Sequence, residues 1–210
     1  MTSIPIDTHV MFAIPLGVTT IPTEICDVMK TLEGQEQGGN KARKPGMFNI
    51  IDKHPRIKND ITEIFSVWIN NINNTPEQKW AMTTSWVTLN PRGDAMVLHR
   101  HYNCAYSGVL YFDTVDPEHP GLKFLNPIEE LNGSFLIDVK NESQNVFNSN
   151  LMQGEIKEGQ MIFFPSYIVH GHDPFKETDI VRKSFACNFM PIGKYGRWDS
   201  TLDTNWLTNG

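Results

Sequence analysis

Apolar residues recur at three- and four-residue intervals in one stretch and then alternate with polar ones over most of the remaining chain. Ile57, Ile61, Ile64, Phe65, Trp68, Ile69 and Ile72 trace one side of a helix. That stripe predicts a helix laid against a sheet, stopped by Asn70, Asn71, Asn73, Asn74 and Pro76. A shorter helix begins at Thr23, a good N-cap, with Ile25, Val28, Met29 and Leu32 as its apolar side and Gly34, Gly38 and Gly39 as its end. Residues 9–18 read as an opening strand.

Beyond Pro76 the period changes. Residues 80–90 are rich in Thr, Val and Trp, and Asn90-Pro91-Arg92-Gly93-Asp94 is a turn. Further strands are predicted at 95–101, 106–112, 122–125, 134–139, 161–164 and 180–189. Turn signals at Asp116-Pro117, His119-Pro120-Gly121, Asn132-Gly133, Glu158-Gly159 and Asp173-Pro174 separate them. Short strands after two helices imply a mainly β fold, a barrel or pair of sheets buttressed on one side.

The chain has 210 residues, enough for one compact domain with its own core. Its 18 basic and 24 acidic residues give a net charge of −6, with no basic run, which argues against a nucleic-acid groove or membrane-surface patch. No Lys or Arg precedes Lys30, so a basic leader is missing, and the early apolar stretch is interrupted by Pro15 and Gly17. The expectation is a cytoplasmic protein, in the host cytoplasm if phage-encoded. Cys26, Cys104 and Cys187 are far apart and odd in number, which suits reduced, buried thiols.

Four of the seven histidines fall in two groups, His99-Arg100-His101 and His170-Gly171-His172. In a strand, residues two apart share a face about 6.6 Å apart, so both rings of either pair can reach one ion. Neutral imidazole is the usual nitrogen ligand for iron, zinc, copper or nickel; an isolated pair is otherwise a partly exposed strand end. Further on, Arg182, Ser184, Ala186 and Asn188 share one strand face and Val181, Phe185 and Cys187 the other. An inward Arg182 would need a carboxylate partner, such as a bidentate ligand with Ser184 adding a hydroxyl; alternation alone leaves open whether it points inward or to solvent.

Ser85-Trp86, His99-Arg100-His101, Ser107-Gly108-Val109-Leu110-Tyr111, Phe164-Pro165-Ser166, His170 and Arg182-Lys183-Ser184 occur in that order. This pattern, over residues 80 to 190, resembles the 2-oxoglutarate and iron(II) dependent oxygenases, and within them a poorly characterised branch common in phages and bacteria. The resemblance implies a double-stranded β-helix (jelly-roll) core with iron at one open end. It implies iron(II), 2-oxoglutarate as cosubstrate and O2, and hydroxylation of a C–H bond in a small molecule or a peptidyl side chain such as proline. The superfamily binds iron through HxD or HxE and a distal His; here His101 stands where that carboxylate would be. The implied metal ligands are His99, His101 and His170. Alternatives are His101 behind the coordinating set with water completing it, a His101 and Asn103 pair, and His172 in place of His170. The resemblance places the far carboxylate of the cosubstrate on Arg182, with Ser184 and Tyr111, while Asn103 and Tyr106 are candidate contacts just past the metal pair. Asp94 and Asp173 read as turn residues, and His9, His54 and His119 as structural or surface positions. Trp80 and Trp86 share a strand face, in the core or as an aromatic wall for substrate.

The organisation expected is a single domain: an N-terminal strand and helical buttress (1–76), a β core (77–190) and a C-terminal segment (191–210) that could cover the core, shape the entrance or mediate a homodimer. A cupin-type metal module without oxygenase activity would use the same histidines without needing Arg182 nearby. A jelly-roll structural protein of a phage particle would need neither.

Overall fold

The computed structural model describes residues 13–36, 48–127 and 149–208. The expected strand at 134–139, the turn at 132–133, His9, Gly38 and Gly39 lie outside them. Two sheets make the core. The larger contains β1 (Gly17–Thr20), β2 (Gln35–Glu36), β3 (Lys79–Asn90), β5 (Tyr106–Leu110), β8 (Gln160–Pro165) and β10 (Arg182–Ile192), in the order β1-β8-β5-β10-β3-β2. The smaller contains β4 (Met96–His99), β6 (Lys123–Leu125), β7 (Leu151–Gln153) and β9 (His170–His172), in the order β4-β9-β6-β7. Neighbours pair antiparallel except β2 with β3. The architecture is mainly β with a double-stranded β-helix core. A short β11 (Lys194–Tyr195) and β12 (Leu202–Asp203) form a separate pair.

Helix α1 (Thr23–Lys30) starts one residue earlier than expected: Pro22, not Thr23, is the N-cap, its carbonyl accepting from the Ile25 N–H. Helix α2 (Pro55–Asn73) has Pro55 in its first turn, where the missing N–H costs nothing, and ends on Asn74 in the left-handed conformation at φ 54°. Its Ile61, Phe65 and Ile69 are buried against the large sheet, while Ile72, at the far end of the predicted stripe, is exposed. Of the opening strand expected at 9–18, residues 9–12 lie outside the described residues, and β1 occupies Gly17–Thr20; it passes so close to α2 that a Cβ on Gly17 would lie 2.7 Å from the Trp68 ring. Among the described residues no helix is long and apolar enough to cross a membrane.

The large sheet is buried on both sides. Toward the helices it presents Met82, Val87, Leu110, Phe163, Phe185, Cys187 and Phe189; toward the small sheet it presents Trp86, Val109, Tyr111, Ile162, Phe164 and Ala186. Trp80 and Trp86 do not share a face, contrary to the alternation expected of them. The β3/β10 register shifts between Asn188 and Phe189, so β3 carries an extra residue at Thr83, and that bulge turns Trp80 toward α2 and Trp86 toward the other sheet. All three cysteines are free, Cys26 and Cys187 within the helix-side core and Cys104 half-buried.

Phe65 is the centre of the helix-side core, stacked 4.0 Å from Phe189 and packed by edges on Trp80 and Phe163. We expect Phe65→Ala to cost about 3–5 kcal/mol in a denaturant unfolding experiment. A loss below about 1 kcal/mol would show that α2 is not held by this contact.

Candidate metal centre and anion pocket

Strand β4 ends at His99, two residues short of expectation, and His101 lies in the following turn. The backbone N–H of His101 donates to the Ser166 carbonyl at 3.0 Å, which fixes that turn to the end of β8. His99 faces His170 as its β-sheet partner across β4 and β9. One coordinating atom from each of His99, His101 and His170 lies within 4.8 Å of the other two. The His101 ring lies nearly parallel to that of His170, with centroids 5.1 Å apart, and its other side faces Trp86 at 5.6 Å.

The tautomers of two rings follow from their backbone contacts. His99 Nδ1 donates to the Val97 carbonyl at 2.8 Å and His170 Nδ1 to the Ile168 carbonyl at 2.9 Å. Each ring therefore offers the Nε2 lone pair, the arrangement a metal requires. Burial holds His170 neutral, its pKa lowered to about 3. Gly171, between His170 and His172, is obligatory, because a Cβ there would sit 2.5 Å from the Met96 carbonyl oxygen and push β4 off β9.

The three histidines open onto a cleft also lined by Trp86, Thr88, Met96, Val109, Leu122, Arg182, Ser184 and Ala186. Its floor is a strand pair in which Trp86 faces Ala186, Thr88 faces Ser184 and Asn90 faces Arg182. Arg182 points inward and is 1% exposed. Nε donates to the Pro120 carbonyl at 3.1 Å, Nη1 to Asn90 Oδ1 at 3.3 Å and Nη2 to the Tyr111 hydroxyl at 3.1 Å. The guanidinium carbon also lies 5.0 Å from the centre of the Tyr111 ring. Tyr111 is fully buried, and that burial raises its pKa and keeps its hydroxyl protonated. Among the described residues no carboxylate forms an ion pair with Arg182. A buried cation of this kind stabilises an anion brought to it.

Not every expected residue converges. His172 lies on the face of β9 that carries His170 but outside the imidazole group; burial and the nearby Arg182 guanidinium lower its pKa to about 4. Asn103 is exposed in a left-handed turn at φ 60° and does not line the cleft. Tyr106 packs between Phe65, Trp68 and Trp80 on the opposite side of the sheet. Its place in β5 explains this, since Tyr106 and Val109 fall on opposite faces. His119 bridges the Asp116 N–H and the Ile180 carbonyl. Ser85 accepts from the Ile51 N–H, away from the cleft.

The motif serines have a shared task. Ser166 and Ser107 hydroxyls lie 2.8 Å apart, Ser107 donates to Asn188 Oδ1 at 2.8 Å, and Asn188 Nδ2 donates to Thr84 at 2.9 Å. This buried chain ties β8, β5, β10 and β3 together beneath the His101 turn. Thr88 was not anticipated as a cleft residue, nor Asn90 as a partner of Arg182, although both follow Trp86 at the two-residue spacing of one strand face.

The family model described as "Putative 2OG-Fe(II) oxygenase" matches residues 84–188, half of the chain. The chain belongs to the 2OG-Fe(II) oxygenases. It is thus an enzyme of the 2-oxoglutarate and iron(II) dependent class, with those two cofactors and O2. The oxygenase fold has solved counterparts. HygX from Streptomyces hygroscopicus, with nickel and 2-oxoglutarate bound, is 11% identical with a TM-score of 0.52, covering 84% of this chain and 82% of that one. The non-heme alpha ketoglutarate dependent carbocyclase SnoK from nogalamycin biosynthesis is 12% identical with a TM-score of 0.51, covering 83% and 79%. At these identities the likeness is one of fold. A stretch of 111 residues, 53% of the oxygenase chain, is 26% identical to human biotinidase and spans 19% of that protein.

The donor set fits the family's metal: three neutral imidazoles suit a divalent first-row ion such as iron(II). Among the described residues no carboxylate joins the group, so the three side chains add no charge to the ion.

Gly171→Ala should weaken Fe(II) binding about tenfold or more in anaerobic equilibrium dialysis, by displacing His99 from His170; unchanged affinity would show that β4 tolerates the shift. For the metal-free protein, His170 and His172 stay neutral in the folded state below the ordinary histidine pKa of 6.5, while the unfolded chain takes up protons. Stability should therefore fall as pH drops from about 6.5 toward 4, with a slope approaching two protons, in urea titrations. A flat profile over that window would contradict the burial argument.

Proposed function

We propose that the enzyme converts a C–H bond of a small-molecule or peptidyl substrate to C–OH, consuming one O2 and one 2-oxoglutarate and releasing succinate and CO2. The observation that carries this reading is the presence, in one cleft, of a three-imidazole group and a buried guanidinium with no carboxylate partner among the described residues. An oxo-acid with a second carboxylate has a chelating end for the first and an anionic end for the second.

In this reading His99, His101 and His170 hold iron(II). Iron and cosubstrate together supply the oxygen activation that no side chain provides. The protein contributes position and exclusion. Trp86 and His170 on either side of His101 fix that ring, and the backbone carbonyls of Val97 and Ile168 aim the other two. Arg182 receives the far carboxylate, with the Ser184 hydroxyl beside it, while Tyr111, Pro120 and Asn90 keep the guanidinium from turning away. Val109, Leu122 and Met96 give the cleft apolar walls that keep water from the reacting end. We treat residues 77–190 as the catalytic core, 1–76 as its buttress and 191–210 as the segment around its entrance.

The test is a screen of metabolites and peptides for substrate-stimulated succinate release by the Fe(II)-loaded protein. His99→Ala and His170→Ala should each lose bound iron and all succinate formation. Arg182→Ala should retain iron yet bind 2-oxoglutarate about ten- to hundredfold more weakly. Iron retained by both histidine variants, or full cosubstrate affinity without Arg182, would refute the assignment.

A further inference from the structure

Two buried nitrogen atoms close to Arg182 have no hydrogen-bond partner. Asn90 is 0% exposed; its Oδ1 accepts from Arg182, and its Nδ2 has no partner. His172 is 3% exposed; its Nδ1 donates to the Asp173 carbonyl at 2.8 Å, and its Nε2 has no partner. Buried polar atoms are nearly always paired, so each marks a place where something else belongs.

The two are chemically opposite. Asn90 Nδ2 carries hydrogens and seeks an acceptor, whereas neutral His172 with its proton on Nδ1 presents a lone pair and seeks a donor. A carboxylate therefore suits Asn90, whereas His172 calls for a donor instead. A water on Asn90 would satisfy the amide but leave the guanidinium without a counter-charge. A carboxylate oxygen satisfies both at once.

We propose that Asn90 Nδ2 donates directly to the far carboxylate of the cosubstrate, so that facing residues on β3 and β10, Asn90 and Arg182, grip one anion. This rests on the cosubstrate reading above and adds a specificity element to it. Asn90 and Arg182 form the third facing pair on that face of β3 and β10, counted from Trp86 beside His101. A 2-oxo acid lacking the second carboxylate still reaches the imidazoles but leaves both partners unpaired, and a site built for a polar group rejects analogues without it.

Anaerobic calorimetric titration of the Fe(II)-loaded protein with 2-oxoglutarate and with 2-oxopentanoate, a monocarboxylic acid of equal chain length, tests this without turnover. Asn90→Ala should weaken 2-oxoglutarate binding about ten- to hundredfold and leave 2-oxopentanoate binding within about twofold. Asn90→Asp, which keeps an acceptor for Arg182 but replaces the donor with a negative charge, should show the same selective loss and serves if the alanine variant fails to fold. Equal 2-oxoglutarate affinity in wild type and variant would overturn the proposal. Wild type that binds neither acid would instead remove the cosubstrate reading, and this inference with it. A crystal structure with Mn(II) and 2-oxoglutarate separates donation from mere support of Arg182. Asn90 Nδ2 about 3 Å from a carboxylate oxygen is expected; a water there, with the carboxylate held by Arg182 and Ser184 alone, would overturn it.

Discussion

The candidate metal centre depends on how closely β4 and β9 approach. These are strands of four and three residues, far apart in sequence, and the gap between them has no room for one methyl group at Gly171. That approach puts His99 opposite His170 and lets His101, carried on the next turn, reach over the same point. The backbone bond from His101 to Ser166 then locks the turn to the larger sheet. The three ligand candidates are thus set by main-chain geometry, with side-chain tautomers following from nearby carbonyls.

The larger sheet divides its two faces between stability and chemistry. On β10, Phe185, Cys187 and Phe189 enter the core beneath α2, while Arg182, Ser184 and Ala186 line the cleft. One strand therefore couples the anchoring of a buried cation to the firmest part of the hydrophobic core. Among the described residues the guanidinium is held by neutral acceptors, an arrangement that orients the charge without neutralising it. The candidate metal group is likewise built from imidazoles, with no carboxylate joining it among the described residues.

Much of this was legible in the chain. The apolar stripe of α2, the change to two-residue alternation after Pro76 and the division of β10 into two alternating faces follow from period, while alternation left open which of those faces holds Arg182 inward. The motif order from Ser85-Trp86 to Arg182-Lys183-Ser184 pointed to the oxygenases. What could not be read depended on local departures from period. The bulge at Thr83 reverses the faces on either side of it and sends Trp80 away from Trp86. Asn90 is the last residue of a long strand as well as the first of a turn, and its turn-forming type concealed its place beside Arg182. Asn103, close to the metal pair in sequence, is turned to solvent by a left-handed backbone. His170 and His172 share a face, so only the three-dimensional position of β4 separates them.

X-ray absorption at the iron edge of the Fe(II)-loaded protein, with and without 2-oxoglutarate under anaerobic conditions, addresses the ligand set directly. Three imidazole scatterers that persist when the cosubstrate displaces water are the expected result. Two imidazoles with a carboxylate, or loss of an imidazole on cosubstrate binding, would contradict the three-histidine centre.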